Sequence, residues 1–496
     1  MEAAKPHAVL VPFPAQGHVT PFMDMAKLLH ARGFHVTFVN NDHNHNRIIR
    51  TRGPDAVAGL PDFRFESIPD GMPPSSNLDA TQEIFELTIA AHTNCLPPFR
   101  DLLAKLNSQH DAPPVTCIIG DAIMSFTTVA GNEIGVPVAS LWTASICGLM
   151  GYLVFPELIR RGIIPLRGCD LTNGYLDMPL DCVPGTQKVP GGVTLREMAT
   201  FCRFTDIEPP IFSKSMYEST QSCLKADALL FNTLEELEDD MIEALDTDRS
   251  KVYTIGPLAL LAAKTTVVTE SPLDLMKSSS LWTENTECLH WLDQQKHQSV
   301  VYINFGSIAV MTQENFLEFC WGLANCGYPF LWVLRSDLIM GQPPVLPQGY
   351  EEMTKDRAFF ATWCPQKKVL EHPSVGVFLT HAGWNSTLEV ISAGMPVICW
   401  AVHGEQPMNV KYIKFVWGNG LDLDPKVTRE EIVKLVHVML AEEKGKEIRR
   451  KALEWKEKAH KATSVGGSSY NHFERLVNEF LLKKTVHLVG GHSNDV

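Results

Sequence analysis

The first apolar run of the chain, Ala8 to Val11, is continuous rather than alternating, and Pro12 and Pro14 end it. A short unbroken run closed by prolines predicts a strand buried on both faces. The loop Ala15 to Val19 follows, and the spacing then becomes helical. Thr20 can cap a helix that begins at Pro21 and runs through Met25, Leu28 and Leu29 to Arg32, with Gly33 as its stop. His35 to Val39 reads as the next strand. Strand, helix and strand in such a short stretch make a βαβ unit, whose right-handed crossover sets the strands parallel. The rhythm recurs at Val115 to Gly120, which closes on Asp121, in a helical stretch to Ile134 stopped by Gly135, and in a strand from Val136 to Leu141.

From Pro156 to Thr205 the periodicity weakens and Gly and Pro become frequent, which predicts long covering loops. Strands return at Ala228 to Phe231 and Val252 to Ile255. The Ala-, Thr- and Ser-rich segment 258–283 lacks an amphipathic period and reads as a linker. Beyond it the alternation restarts, with strands at Val300 to Phe305, Phe330 to Leu334, Ala358 to Thr362, Val375 to Leu379 and Val397 to Trp400, and a helix from Gln313 to Cys326. Thr428 to Leu482 reads as charged helix, broken at Gly445, Gly466 and Gly467. The pattern predicts an α/β chain with two doubly wound, Rossmann-like domains, 1–257 and 284–466. The segment 467–496 forms a C-terminal helix and tail that packs back on the first domain. Ligands of such sheets bind outside the carboxyl ends of the strands, so the expected site lies in a cleft between the domains.

Composition narrows the classes of function. The 496 residues carry 43 Lys plus Arg against 57 Asp plus Glu, a net charge of −14. That balance lacks the basic stripe that nucleic acid requires, and anionic lipid would repel it. No run approaches the ~18 apolar residues of a membrane span, and the short run after Met1 is too brief for a secretory signal, so a soluble cytoplasmic protein is expected. The 12 cysteines form no C-x-x-C pair, which predicts reduced, mostly buried thiols.

The chemistry concentrates between Trp363 and Gln406. The chain reads Trp-Cys-Pro-Gln at 363–366, His-Ala-Gly-Trp-Asn-Ser at 381–386, then Glu389, Gly394, Pro396, Trp400, Glu405 and Gln406. This stretch resembles the signature box of plant family 1 UDP-glycosyltransferases, and the resemblance extends to Gly17-His18, Gly120-Asp121 and Phe305-Gly306-Ser307. It implies the two-domain GT-B fold and transfer of a sugar from a UDP-sugar to a small hydrophobic acceptor, by a monomer that needs no metal and no cofactor besides that co-substrate. Residue by residue it implies that His381, Asn385, Ser386 and Ser307 hold the pyrophosphate and that Glu389 accepts from the ribose hydroxyls. It places Trp363 on the uracil face, with Cys364 and Gln366 at its edge, and Trp384, Glu405 and Gln406 on the sugar. A final Gln in the box points to glucose. Independently, a helix start after a buried strand supplies amide N–H groups and a positive dipole end suited to a diphosphate. The box departs from the family pattern at residues 401–404, Ala-Val-His-Gly, where Pro and aromatic residues are usual.

His18 follows the first strand and Asp121 ends a later one, so in a parallel sheet both open on one crevice. An imidazole oriented by a carboxylate can take the proton of an attacking hydroxyl. The resemblance makes His18 that base, Asp121 its partner and Thr143 a contact to sugar or phosphate, with inversion at the donor carbon. The alternatives are another UDP-hexose, or a UDP-sugar-binding protein without transfer, which would lack His18 or Asp121. A dinucleotide oxidoreductase would need a G-x-G-x-x-G after a strand, and the chain has none. Asp42-His43-Asn44-His45 reads as capping and turn residues rather than metal ligands.

Overall fold

The computed structural model describes residues 5–73, 82–206, 210–266, 280–341 and 343–482. Its strands in chain order are β1 (His7–Val11), β2 (His35–Asn41), β3 (Phe63–Ile68), β4 (Cys117–Asp121), β5 (Val138–Trp142), β6 (Pro179–Leu180), β7 (Val193–Thr194), β8 (Ala228–Phe231), β9 (Val252–Thr254), β10 (Val300–Asn304), β11 (Phe330–Val333), β12 (Ala358–Ala361), β13 (Val375–Thr380), β14 (Val397–Cys399) and β15 (Gly420–Asp422). Seven of them form one sheet in the order β3-β2-β1-β4-β5-β8-β9, and six form another in the order β12-β11-β10-β13-β14-β15. Every pairing within these two sheets is parallel. In both, the chain starts in the middle, winds outward and returns to the other side of its first strand. That is the doubly wound Rossmann order, with a switch point between β1 and β4 and another between β10 and β13.

The described residues fall into two units. The first comprises those within Met1–Pro165, Phe204–Leu281 and Lys461–Val496, the second those within Leu166–Arg203 and Trp282–His460. The boundaries differ from the expected ones in three places, each for a packing reason. Leu258–Thr266 is a helix, not linker. Leu258, Leu261 and Ala262 enter the first unit's core beside Leu28 and Leu29 of the helix Gln16–Ala31, so a helix with one buried edge was hidden in a composition of Ala and Thr. Of the remainder of the expected linker, residues 267–279 lie outside the described residues. Residues 166–203 belong to the second unit, where they form short 3₁₀ turns and the antiparallel pair β6–β7. From residue 461 the chain is part of the first unit, and Phe473, Leu476, Val477, Phe480 and Leu481 lie in its core.

Two local expectations also change. The first helix starts at Gln16, with Ala15 as N-cap, so Pro21 lies inside it and His18 stands in its first turn rather than in a loop. Gly445 does not break the helical tail. It lies within the helix Glu443–Ala462, where a Cβ would come within 2.3 Å of the Met439 carbonyl oxygen, so it permits close packing. Asp42, His43, Asn44 and His45 open the helix Asp42–Arg52, which Asn41 caps by accepting from the Asn44 N–H at 3.0 Å. The second unit's core gathers around Trp332, Phe316, Phe319 and Trp400. Among the described residues no helix is long and apolar enough to cross a membrane.

Candidate active site

In the first unit the switch point brings together residues far apart in sequence. Val11 at the end of β1 pairs with Gly120 of β4. A Cβ at Gly120 would lie 2.0 Å from Thr127 Oγ1, so only glycine lets the following helix, Phe126–Ile134, close over the strand end that carries Asp121. His18 Nδ1 lies 2.7 Å from Asp121 Oδ2, and Thr143, just past β5, brings Oγ1 to 2.8 Å from the same nitrogen. The other carboxylate oxygen, Oδ1, accepts from the Ile123 N–H at 3.1 Å, which fixes the plane of the group. Phe13 meets the imidazole edge-on at 5.2 Å. The Asp121 side chain is 1% exposed and that of His18 23%. An ionised carboxylate can only accept, so the Nδ1 proton points to Asp121 and the lone pair is left on Nε2.

In the second unit Asn304 of β10 pairs with Thr380 of β13. Each strand ends in a tight turn: Gly306 at φ 70° and Ala382 at φ 61°. His381 is held between two glycines, since a Cβ at Gly306 or Gly383 would come within 2.5 or 2.4 Å of its ring. Burial, with His403 and Arg335 nearby, pushes its pKa down to about 3, so it is a neutral donor or acceptor and not a cation. Ala382 is an uncommon non-glycine in the left-handed region, and its carbonyl is held by the Asn409 side chain at 3.0 Å. The helix Trp384–Ala393 begins here on Gly383, with no side-chain cap, and Thr387 N–H is bonded back to the Gly383 carbonyl. A helix start of this kind directs amide dipoles outward.

Gln366 links this helix to β10. Its Oε1 accepts from Tyr302 Oη at 2.9 Å and Asn304 Nδ2 at 2.8 Å, while Nε2 donates to Ser386 Oγ at 3.0 Å and Glu389 Oε2 at 2.6 Å. Its side chain is therefore fully engaged and acts as the hub that sets Ser386 and Glu389. Cys364 is buried beside Tyr302 Oη at 3.3 Å, and the Cys288 thiol and burial raise its pKa. Trp363 has one face stacked on Trp282, centroids 4.6 Å apart. The Trp384 indole is buried against Trp417 at 5.9 Å. Only its backbone stands at the helix start. Trp400 packs on Phe305 and Phe319. Glu405 is the N-cap residue of the helix Gln406–Tyr412, and Gln406 is buried.

The structure thus brings His18, Asp121 and Thr143 together in one unit, and Ser307, Trp363, Cys364, Gln366, His381, Asn385, Ser386, Glu389, Glu405 and Gln406 around the strand ends of the other. Five contributors escaped the sequence reading. Tyr302 and Asn304 looked like ordinary strand residues. Trp282 lay inside the supposed linker. Arg335, 4% exposed, reaches back from the end of β11 to donate to the Gly306 carbonyl and, at 2.6 Å, to that of Ala309. A buried arginine two residues past a strand carries no local signature. Asn409 had one: it stands three residues after Gln406, on the same helix face.

Comparison with known proteins identifies the family and the fold. Residues 283–452 match the family model described as UDP-glucoronosyl and UDP-glucosyl transferase. Linamarin synthase 1 of Manihot esculenta is 47% identical over 97% of this chain and 98% of its own length. The 7-deoxyloganetin glucosyltransferase of Gardenia jasminoides is 48% identical over 97% and 98%. Among solved structures, that of Phytolacca americana UGT2 complexed with UDP-2fluoro-glucose and pterostilbene superposes with a TM-score of 0.75 at 25% identity, covering 97% of this chain and all of that one. Full-length identity of this order, on two sheets wound in the same Rossmann order, shows that the chain belongs to the plant family 1 UDP-glycosyltransferases.

Proposed function

We propose that the chain is an inverting, UDP-glucose-dependent O-glucosyltransferase acting on the hydroxyl of a small lipophilic metabolite, with His18 as general base and Asp121 as its orienting partner. The observation that carries this reading is the His18 imidazole, whose Nδ1 faces a buried carboxylate and whose Nε2 keeps its lone pair. In the step proposed, the acceptor O–H gives its proton to Nε2 as the oxygen bonds to the anomeric carbon. The bond from that carbon to the β-phosphate oxygen breaks in the same displacement, and UDP leaves with the electron pair. Asp121 stabilises the imidazolium that forms, and Thr143 limits rotation of the ring. Asp121 takes no proton itself.

The donor half supplies the leaving-group side. In this reading the start of the helix Trp384–Ala393, Ser386 and Ser307 bind the pyrophosphate, and neutral His381 adds a hydrogen bond without a buried charge. For Trp384, whose indole is buried, the backbone N–H at the helix start is the group assigned to the sugar. Glu389, aligned by Gln366, suits a vicinal diol such as that of ribose. Trp363, stacked on Trp282, is a platform for uracil. Glu405 and Gln406 are assigned to the hexose, and the relative named a glucosyltransferase supports glucose. The test is incubation with UDP-glucose and a panel of small alcohols and phenols, followed by proton NMR of the product. A β-glucoside is expected from the α-linked donor. An α-glucoside, or hydrolysis without transfer to any acceptor, would refute the reading.

A further inference from the structure

The loop of residues 401–404 is where this chain leaves the pattern of its box, and His403 is the one side chain in it that can exchange hydrogen bonds. The loop is fixed from two sides. Gln406 Oε1 accepts from the Val402 N–H at 2.9 Å and the His403 N–H at 3.0 Å. Gly404, at φ 62°, donates its N–H to Thr200 Oγ1 at 2.9 Å and accepts from the Thr200 N–H at 3.1 Å.

Those two backbone donors also orient the Gln406 amide. Turned the other way, its NH₂ would face two N–H groups, so Oε1 points at the loop and Nε2 carries the protons. Nε2 lies 3.3 Å from His403 Nδ1. An amide nitrogen only donates, so Nδ1 accepts, and a neutral imidazole with an accepting Nδ1 keeps its proton on Nε2. Burial holds the ring neutral, its pKa lowered to about 4. Among the described residues nothing accepts from that Nε2–H.

We propose that His403 is a donor-binding residue whose Nε2–H, directed by Gln406, donates to a hydroxyl of the hexosyl group of the UDP-sugar. This rests on the reading of Glu405 and Gln406 as the sugar end of the donor site. The hydrogen-bond arithmetic gives it content. Both lone pairs of Gln406 Oε1 and one of its Nε2 protons are engaged within the loop, which leaves Gln406 one donor for the sugar. His403 supplies a second, displaced by the width of an imidazole. A phenyl ring at 403 would instead leave Gln406 with two donors and the loop with none. His403 therefore changes which hydroxyl is read, making it a determinant of donor specificity particular to this chain.

The experiment compares wild type with His403→Phe and His403→Gln. It measures kcat/KM for UDP-glucose, Ki for UDP, and kcat/KM for UDP-glucose analogues deoxygenated singly at C2, C3, C4 or C6. His403→Phe should lower kcat/KM for UDP-glucose about tenfold, the size of one hydrogen bond, with Ki for UDP within about twofold. That second value also reports a folded donor half. His403→Gln, which restores an N–H, should recover most of the loss. With one deoxy donor, wild type and His403→Phe should be equal, because the partner hydroxyl is already absent. Equal losses with all four deoxy donors, or a parallel loss of UDP affinity, would overturn the proposal, since His403 would then only hold the loop. Transfer that ignores His403→Phe defeats this inference alone. Failure of the wild type to transfer from any UDP-hexose defeats the functional reading and this inference with it.

Discussion

Histidines carry much of the chemistry here, and the structure keeps three of them neutral by burial. His381, His403 and His7 have pKa values pushed to about 3, about 4 and about 4, whereas an unfolded chain titrates its histidines near 6.5. Between those limits the unfolded chain takes up protons that the folded one refuses, so folding stability rises with pH across the window and is lost as pH falls below about 6.5. Each such group contributes up to about 1.4 kcal/mol per pH unit. Thermal melts should therefore be flat above pH 7 and fall steadily toward pH 4. His7→Gln should make that slope shallower, because His7 meets the Pro113 carbonyl and Thr37 Oγ1, each at 2.8 Å, and no carboxylate. An identical slope in the variant would refute this account of His7. At this scale the sequence was informative where residues sit in a spaced motif, as His18, Asp121 and the 363–406 box do. It was silent on Arg335 and Trp282, whose place is set by tertiary packing alone.

Strand ends and the turns after them shape the donor half. Gly306 must be glycine twice over: its φ is 70°, and a Cβ would lie 2.5 Å from the His381 ring. Gly306→Ala should displace His381, lower stability by about 1–3 kcal/mol and weaken UDP binding at least about tenfold. Differential scanning fluorimetry with and without UDP checks both, and a variant that melts and binds like wild type would contradict the clamp. Central strands were legible because they are continuous apolar runs buried on both faces, as in Ala8 to Val11. The edge strands β3 and β15 were not read. Phe63–Ile68 is buried only at its ends, and Gly420–Asp422 offers three residues with one buried. A strand with one neighbour need not advertise itself in hydrophobicity. The first helix starts five residues before the position that Pro21 suggests, because it accommodates the proline more than one turn in.

Over the whole molecule, the chain does not divide into two consecutive halves. The unit built first in sequence is completed by its last described residues, and Phe473 is wholly buried in its core. Phe473→Ala should destabilise that unit by about 3–5 kcal/mol, read by chemical denaturation, while UDP affinity in the folded state stays unchanged. Unchanged stability would show that the C-terminal helix is an accessory. Charge at this scale also gains meaning. The net charge of −14 would repel a diphosphate, and within 363–406 Lys367 and Lys368 are outnumbered by Glu371, Glu389 and Glu405. In the function proposed, local groups hold the diphosphate instead: a helix start, two hydroxyl side chains and a neutral imidazole, with the buried guanidinium of Arg335 behind the Gly306 turn. The account stands on His18 as the base, and the most direct test is kcat/KM for glucosyl transfer by His18→Ala beside wild type at saturating UDP-glucose. The account predicts a loss of about 10²–10⁴-fold with UDP affinity intact. Transfer at the wild-type rate on every acceptor that the wild type uses would contradict it.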